Sequence, residues 1–442
     1  MRIKPIVTTC LIGSLITTSL QAENLMDIYN LAQKNDPKFL ASGALLDANL
    51  EGTNQSLSAL LPRVSGSISS SYNRSSSGTT AAITSKSESV GSSLGLSLSQ
   101  LIYDYSTWVG YDQAKKRAEQ ARVQYKVNEQ DLIIRVAETY LDILGAKDKL
   151  EFAVAEQKAI KQELEQTKQR YEVGLIAITD VHEAQARFDQ SEADRIIAQN
   201  TLDNSHEALR EVTGQYHNNL DILNTDIPLV SPEPAKIDDW VQVARESNLS
   251  VISSNMAVYL AKQDIKRDFG GHYPSVSLSA SYSDATTDPS WVDIDSESYG
   301  LSGSINVSVP IYSGGLTNSR VEESKALHKK ATYDLESAMR STIRTARSAY
   351  LGVNASISRI KALEQSVISQ QSALEATQAG FEVGTRTIVD VLLSTRSLYS
   401  ARSGLSSARY NYILAVLRLK QAAGILSRFD LQEINKWMVT GS

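Results

Sequence analysis

Two regions of the chain alternate strictly between small polar and apolar positions. In the first, Val64, Gly66, Ile68 and Ser70 alternate with Ser65, Ser67, Ser69 and Ser71. After a Ser- and Thr-rich segment (73–90), Leu94, Leu96 and Leu98 alternate with Gly95, Ser97 and Ser99. In the second, Val276, Leu278, Ala280 and Tyr282 alternate with Ser275, Ser277, Ser279 and Ser281. After an Asp-rich segment (283–300), Leu301, Gly303, Ile305, Val307 and Val309 alternate with Ser302, Ser304, Asn306 and Ser308. A period of two over ~9–10 residues predicts a strand with one wet and one apolar face, at the length a membrane barrel strand needs. Each pair would be joined by a long polar loop. A surface hairpin of a soluble sandwich has the same period. Here, however, Ser and Gly fill almost every inward position, so nothing bulky is available to pack a second layer. On the membrane reading, Leu94, Leu96, Leu98, Ile305 and Val307 face lipid, and Ser97, Ser99, Ser304 and Ser308 face a lumen. Four strands cannot close a barrel, and an open sheet edge cannot sit in lipid, so several chains must pool their strands.

The rest of the chain has a helical period. Ile343, Ala346, Tyr350, Val353, Ile357 and Ile360 step by three and four, as in a coiled-coil seam. Ile133, Ala137, Tyr140 and Leu144 do the same in the first half. An arm over roughly 107–172 would be on the order of 100 Å long at ~1.5 Å per residue. Further apolar positions (Leu132, Val136, Ile143, Leu351, Ile368) make a second seam, which predicts a ring of helices rather than an isolated pair.

The pattern is duplicated. Tyr171-Glu172-Val173-Gly174-Leu175 and Ile178-Thr179-Asp180-Val181 return as Phe381-Glu382-Val383-Gly384-Thr385 and Ile388-Val389-Asp390-Val391. A lone Gly between long helical tracts reads as the turn of a helical hairpin. Pro62-Arg63-Val64-Ser65 likewise returns as Pro274-Ser275-Val276-Ser277. The expected organisation is a first repeat (23–214), a linker (215–236), a second repeat (237–424) and a tail (425–442). Each repeat would hold a helix, two strands and a long helical hairpin.

Residues 1–22 read as a secretory signal peptide, with Arg2 and Lys4 before the apolar run Ile6 to Leu20 and with Ala22 before Glu23. Its removal would take away Cys10, the single cysteine, leaving no disulfide or Cys-based site. Net charge would move from −6 to −8 with the loss of Arg2 and Lys4. That balance gives no basic footprint for nucleic acid. No later run of ~20 apolar residues predicts a membrane helix. The five His (His182, His206, His217, His272, His328) lack ligand spacing, and no nucleophile elbow or P-loop is present, so no enzyme, cofactor or structural metal is expected.

The chemistry concentrates at the two hairpin tips. Asp180 and Asp390 fall in the first turn of descending helices, where a carboxylate caps the helix or meets its dipole. Asp180 with Glu183 and Thr387 with Asp390 are candidate capping boxes. Arg386, four residues before Asp390, is expected on the same helix face. It lies at the same depth as Thr179 and Asp180 of the other hairpin.

These residues resemble the TolC family of outer-membrane efflux and secretion channels. The resemblance covers nearly the whole mature chain. It is carried by Glu23-Asn24-Leu25-Met26, Val173-Gly174-Leu175, Ile178-Thr179-Asp180-Val181, Ala408-Arg409-Tyr410-Asn411-Tyr412 and, above all, Val383-Gly384-Thr385-Arg386-Thr387-Ile388-Val389-Asp390-Val391. It implies an α+β membrane protein in the outer membrane of a Gram-negative bacterium, with a large periplasmic part. A homotrimer would form a 12-stranded barrel continuous with a 12-helix periplasmic barrel of coiled-coil hairpins. It also implies an exit duct for tripartite multidrug efflux and type I secretion, opened when a periplasmic adaptor (membrane fusion protein) and an inner-membrane pump dock. By the same resemblance, Thr179, Asp180, Phe381 and Arg386 form the gate and Asp390 an entrance ring that binds cations. Val173, Gly174, Leu175, Val383, Gly384 and Thr385 would be the adaptor-docking tips. Phe381 stands where the family commonly has Tyr, and Leu393 where a second Asp is expected. The alternatives are a periplasmic coiled-coil adaptor, which should carry a compact β domain, and a trimeric stalk without a channel, which should not duplicate a strand pair.

Overall fold

The structure, a computed structural model, describes residues 23–78, 84–217, 219–224, 226–289 and 296–439. The expected signal peptide lies outside the described residues. In the first half, α1 (Leu25–Asn35), α2 (Pro37–Ser58), β1 (Arg63–Gly78), β2 (Thr84–Tyr103), α3 (Tyr105–Glu172) and α4 (Ile178–Thr213) follow one another. After β3 (Ile222–Leu223) the order repeats as α5 (Ile237–Ser247), α6 (Leu249–Phe269), β4 (Ser275–Pro289), β5 (Ser296–Ser308), α7 (Leu316–Glu382) and α8 (Ile388–Ala423). Helix α9 (Arg428–Asn435) and β6 (Met438–Val439) complete the chain. No helix among the described residues is long and apolar enough to cross a membrane.

Three expectations need correction. A single helix was expected ahead of each strand pair, yet each half has two. Asp36 ends α1 with its own amide and caps α2 by accepting the amides of Lys38 and Phe39. Pro37, with no N–H to donate, takes the first position of the new helix. Asn248 divides α5 from α6 in the same way. The polar segments 73–90 and 283–300, expected as loops, are largely strand. The β1–β2 ladder continues through Asn73↔Ser89 to Gly78↔Thr84, and Arg74 pairs across it with Glu88 at 3.0 Å. Backbone pairing does not require apolar side chains, and polar alternation serves it once the sheet is in water. Residues 79–83 and 290–295 lie outside the described residues. Finally, the stretch expected as a linker supplies β3, which pairs with β6 of the expected tail.

The four long strands form one antiparallel sheet in the order β1-β2-β4-β5. Residues directly opposed in such a ladder share a face. Leu98 lies opposite Val64 and Ala280, Leu96 opposite Gly66 and Tyr282, and Leu94 opposite Ile68. Ile305 lies opposite Leu278, and Val307 opposite Val276. The five residues expected to face lipid therefore sit on one face of one sheet. Tyr72 and Tyr299 lie at its outer limit, and Tyr103 and Tyr273 at the end where the strands meet the helices. The other face is lined with serine. Hydroxyls pair across it at Ser65–Ser97 and Ser69–Ser93 (2.7 Å) and at Ser279–Ser304 and Ser281–Ser302 (2.8 Å).

Helix α3 packs against α2 and α4 of the first half and α6 and α8 of the second. The main core sits at mid-height. Ile133, Ala137, Tyr140 and Leu144 of the first seam are all buried there, with Val353 and Ile360 of α7 and Tyr412, Ile413 and Leu417 of α8. Leu25, Ile28 and Tyr29 of α1 and Leu431 and Ile434 of α9 cover this belt. The Tyr140 hydroxyl donates to the carbonyl of Asp221 at 2.8 Å, and Tyr412 donates to that of Val230 at 3.0 Å. Burial raises both phenols above their ordinary range. By contrast, Leu351 and Ile368 on α7 are exposed.

Candidate functional site at the hairpin tips

The two tips are built alike. At the first, Val173 N–H donates to Gln169, Gly174 to Tyr171 and Leu175 to Arg170. At the second, Val383 donates to Ala379, Gly384 to Phe381 and Thr385 to Gly380. Gly174 (φ 75°) and Gly384 (φ 78°) take the left-handed conformation that closes each helix. Val173 (69% exposed), Leu175 (73%) and Val383 (75%) project into solvent, and Thr385 is exposed too.

The descending helices start differently. Thr387 caps α8 by accepting the Asp390 amide at 3.3 Å, and the Asp390 carboxylate accepts the Thr387 amide and hydroxyl, both at 3.0 Å. Those hydrogen bonds, and then the nearby charge of Arg386, hold the Asp390 carboxyl below its ordinary pKa. The cap is therefore complete above the ordinary carboxylate pKa and is lost as pH falls through the lowered value. The capping box expected of Asp180 and Glu183 does not form. The N-cap of α4 is Ala177, which has no side-chain acceptor. Asp180 sits at the third helical position, half-buried, beside exposed Thr179. Arg386 also departs from expectation. It precedes the N-cap, so it is not on the face of α8, and its amide folds back onto the Gly380 carbonyl at 3.2 Å. A β-carbon at Gly380 would come within 2.7 Å of Cγ of Arg386, so any larger residue there would displace the Arg386 side chain. Among the described residues, neither Arg386 nor Asp180 makes an ion pair within the protomer.

Phe381 is not at the surface. It is 8% exposed and belongs to a small second core with Ile160 and Leu164 of α3, Ala184 of α4, and Ile388 and Val391 of α8. The guanidinium of Arg170 lies over its ring, 4.3 Å from the centroid. This contact between the hairpins was missed in the sequence, because periodicity along one helix does not report its partner on another. Leu393, where a second carboxylate was expected, is exposed on α8.

The model of the family described as "Outer membrane efflux protein" matches residues 28–215 and again 240–425. The chain belongs to the outer membrane efflux protein family. The double match follows the duplication seen in the fold. As a member of this family the chain is an outer-membrane duct for efflux, and the family is one of channels. It is 42% identical over 436 residues to the outer membrane protein TolC of Vibrio cholerae, covering 98% of each. It is 29% identical over 435 residues to the alkaline protease secretion protein AprF of Pseudomonas aeruginosa, covering 95% of this chain and 88% of the other. The fold resembles the Campylobacter jejuni CmeC outer membrane channel, with a TM-score of 0.74 at 16% identity over 99% and 98% of the two chains.

Proposed function

We propose that three copies pool their sheets into a 12-stranded outer-membrane barrel continuous with a 12-helix periplasmic tunnel, forming the exit duct of tripartite drug efflux and of type I protein secretion. The observation that carries this reading is the sheet itself. It has one apolar face, one serine face and two unpaired edges, β1 and β5, which lipid does not tolerate. The secretion role is supported by the likeness to AprF. Residues 1–22 would direct export, and the pieces at mid-height would form a belt around the tunnel.

The tunnel would close at the tips. Among the described residues Asp180 and Arg386 have no ion-pair partner inside the protomer, which would leave them, with the exposed Thr179 hydroxyl, for a neighbouring copy. Arg170 over Phe381 would hold the two hairpins of one copy together, worth roughly 0.5–2 kcal/mol as a cation–π contact. Beside this gate, Asp390 would contribute one carboxylate per copy to a ring that attracts cations. Only one of its oxygens is engaged by Thr387. Leu393 adds no second ring, so block by multivalent cations should be modest. Because Asp390 is held below its ordinary pKa, cation selectivity should persist as pH falls through ~3.9, the value of a free Asp side chain. Reversal potentials across a salt gradient, measured against pH with Asp390→Asn as control, check this. Selectivity unchanged in that variant would leave Asp390 a helix cap alone.

The exposed Val173-Gly174-Leu175 and Val383-Gly384-Thr385 would receive a periplasmic adaptor. Polar residues would serve a bare turn equally well, so the apolar side chains held out in solvent support docking. Glutamate at both Leu175 and Thr385 is expected to abolish drug export from cells while the protein still assembles. Export at the wild-type level would remove the docking role.

A further inference from the structure

Helices α7 and α8 lie side by side at mid-height and present two different faces there. One face carries the belt. Arg347 of α7 pairs with Asp238 of α5 at 2.6 Å, and the Tyr412 hydroxyl of α8 donates to the Val230 carbonyl. The other face holds a cavity of about 570 Å³, a size in the range of roughly 300–1,000 Å³ that small molecules occupy. On α7 it is lined by Thr345, Ser348 and Gly352, which recur at three and four on the side away from Arg347.

The floor of this cavity is small and the rim is polar. Ala349 and Gly352 of α7 and Ala415 of α8 leave the space open. Around them stand Arg344 of α7, Asn411, Arg418 and Gln421 of α8, and Asn248, the cap of α6. Among the described residues no carboxylate lines the cavity. Arg344 is exposed and, among the described residues, makes no ion pair and no hydrogen bond. Arg418 is engaged at Nη2 by Glu138 of α3, and among the described residues its Nε and Nη1 donors have no partner. One carboxylate for two guanidiniums leaves a positive charge unmatched, and the N-terminal end of the α6 dipole adds to it.

We propose that this niche binds a small organic anion through a carboxylate. A guanidinium takes a carboxylate by two parallel N–H···O bonds, a match of shape as well as of charge. The Asn411 amide, which makes no hydrogen bond among the described residues, would receive a hydroxyl or a second carboxylate of the same molecule, and the small floor leaves room for its body. The setting of the niche rests on the duct proposed above. With the belt outside, the face turned away from it is lumenal, so three copies would place three cationic niches at one height, far from the acidic ring at the tips.

The test is equilibrium dialysis of the purified protein in mild detergent against radiolabelled citrate at low ionic strength. Saturable binding of one citrate per chain is expected. Arg344→Gln should weaken it at least about tenfold, and Arg344→Lys, which keeps the charge but not the planar fork, should recover only part of the loss. Arg347→Gln, on the belt side of the same helix, should bind as the wild type does. Arg344 is exposed, so these variants should keep the helical circular dichroism of the wild type. No saturable binding to the folded wild type overturns the niche, as does undiminished binding in Arg344→Gln or an equal loss in Arg347→Gln. Citrate binding by a protein that carries no current in planar bilayers would overturn the duct and its lumen, leaving the niche in place.

Discussion

Arg386→Ser together with Asp180→Ala is expected to raise single-channel conductance in planar bilayers several-fold. In the closed duct each Arg386 would reach Asp180 and Thr179 of a neighbouring hairpin. One exposed ion pair is worth only about 0.2–1 kcal/mol, but threefold repetition brings the total to roughly 0.6–3 kcal/mol. That would be a bias of about 3- to 150-fold in the ratio of closed to open tips. Such a bias would hold a resting state without locking it, so a docking partner would need only comparable differential affinity to open it. Both ends of the link are prepared locally. Among the described residues Asp180 is not consumed by a cap, because Ala177 has no hydroxyl to donate to it as Thr387 donates to Asp390, and Arg386 lies outside α8. Phe381 lacks the hydroxyl that a Tyr would add, which would give the ion pairs a larger share of the proposed closure. It still binds the two hairpins through Arg170. Wild-type conductance in the double variant would remove Arg386 and Asp180 as the gate.

Ile305→Arg is expected to impair insertion into lipid, and Ser304→Arg to be tolerated, although the two residues are adjacent in β5. A charge on the lipid face near the bilayer midplane costs ~2–4 kcal/mol, whereas lumen positions remain in water. Ile305 lies opposite Leu278 on the apolar face, and Ser304 pairs its hydroxyl with Ser279 on the other. Folding titrations into vesicles in urea separate the two. Equal losses would contradict the assignment of the faces.

The long elements and both faces of the sheet were legible in the sequence because their periods are long and uninterrupted. Leu94 to Leu98 and Ile305 to Val307 announce a two-sided strand, and Gly174 and Gly384 mark turns that only a left-handed residue closes. Less visible were features set by contacts between distant segments. The belt at mid-height is assembled from α1, α5, α9 and the two-residue strands β3 and β6; the strands are too short to carry a period, and where the short helices dock is set by segments far away in the chain. The strand ends beyond Tyr72 and Tyr282 read as loops because their side chains are polar, while the backbone ladder that extends them leaves no mark in hydropathy. At the tips, the sequence singled out Asp180, Arg386 and Asp390. It did not distinguish a carboxylate held in a cap from one left free, since that difference lies in the N-cap residue, Thr387 against Ala177. Arg170 was passed over because its partner, Phe381, belongs to the other hairpin.

The mass of the protein extracted from the outer-membrane fraction in mild detergent, measured by light scattering with the detergent contribution subtracted, bears directly on whether the chains pool their strands. Three chains per particle is the expected result. A particle of one chain, stable and folded with β1 and β5 unpaired, would contradict it.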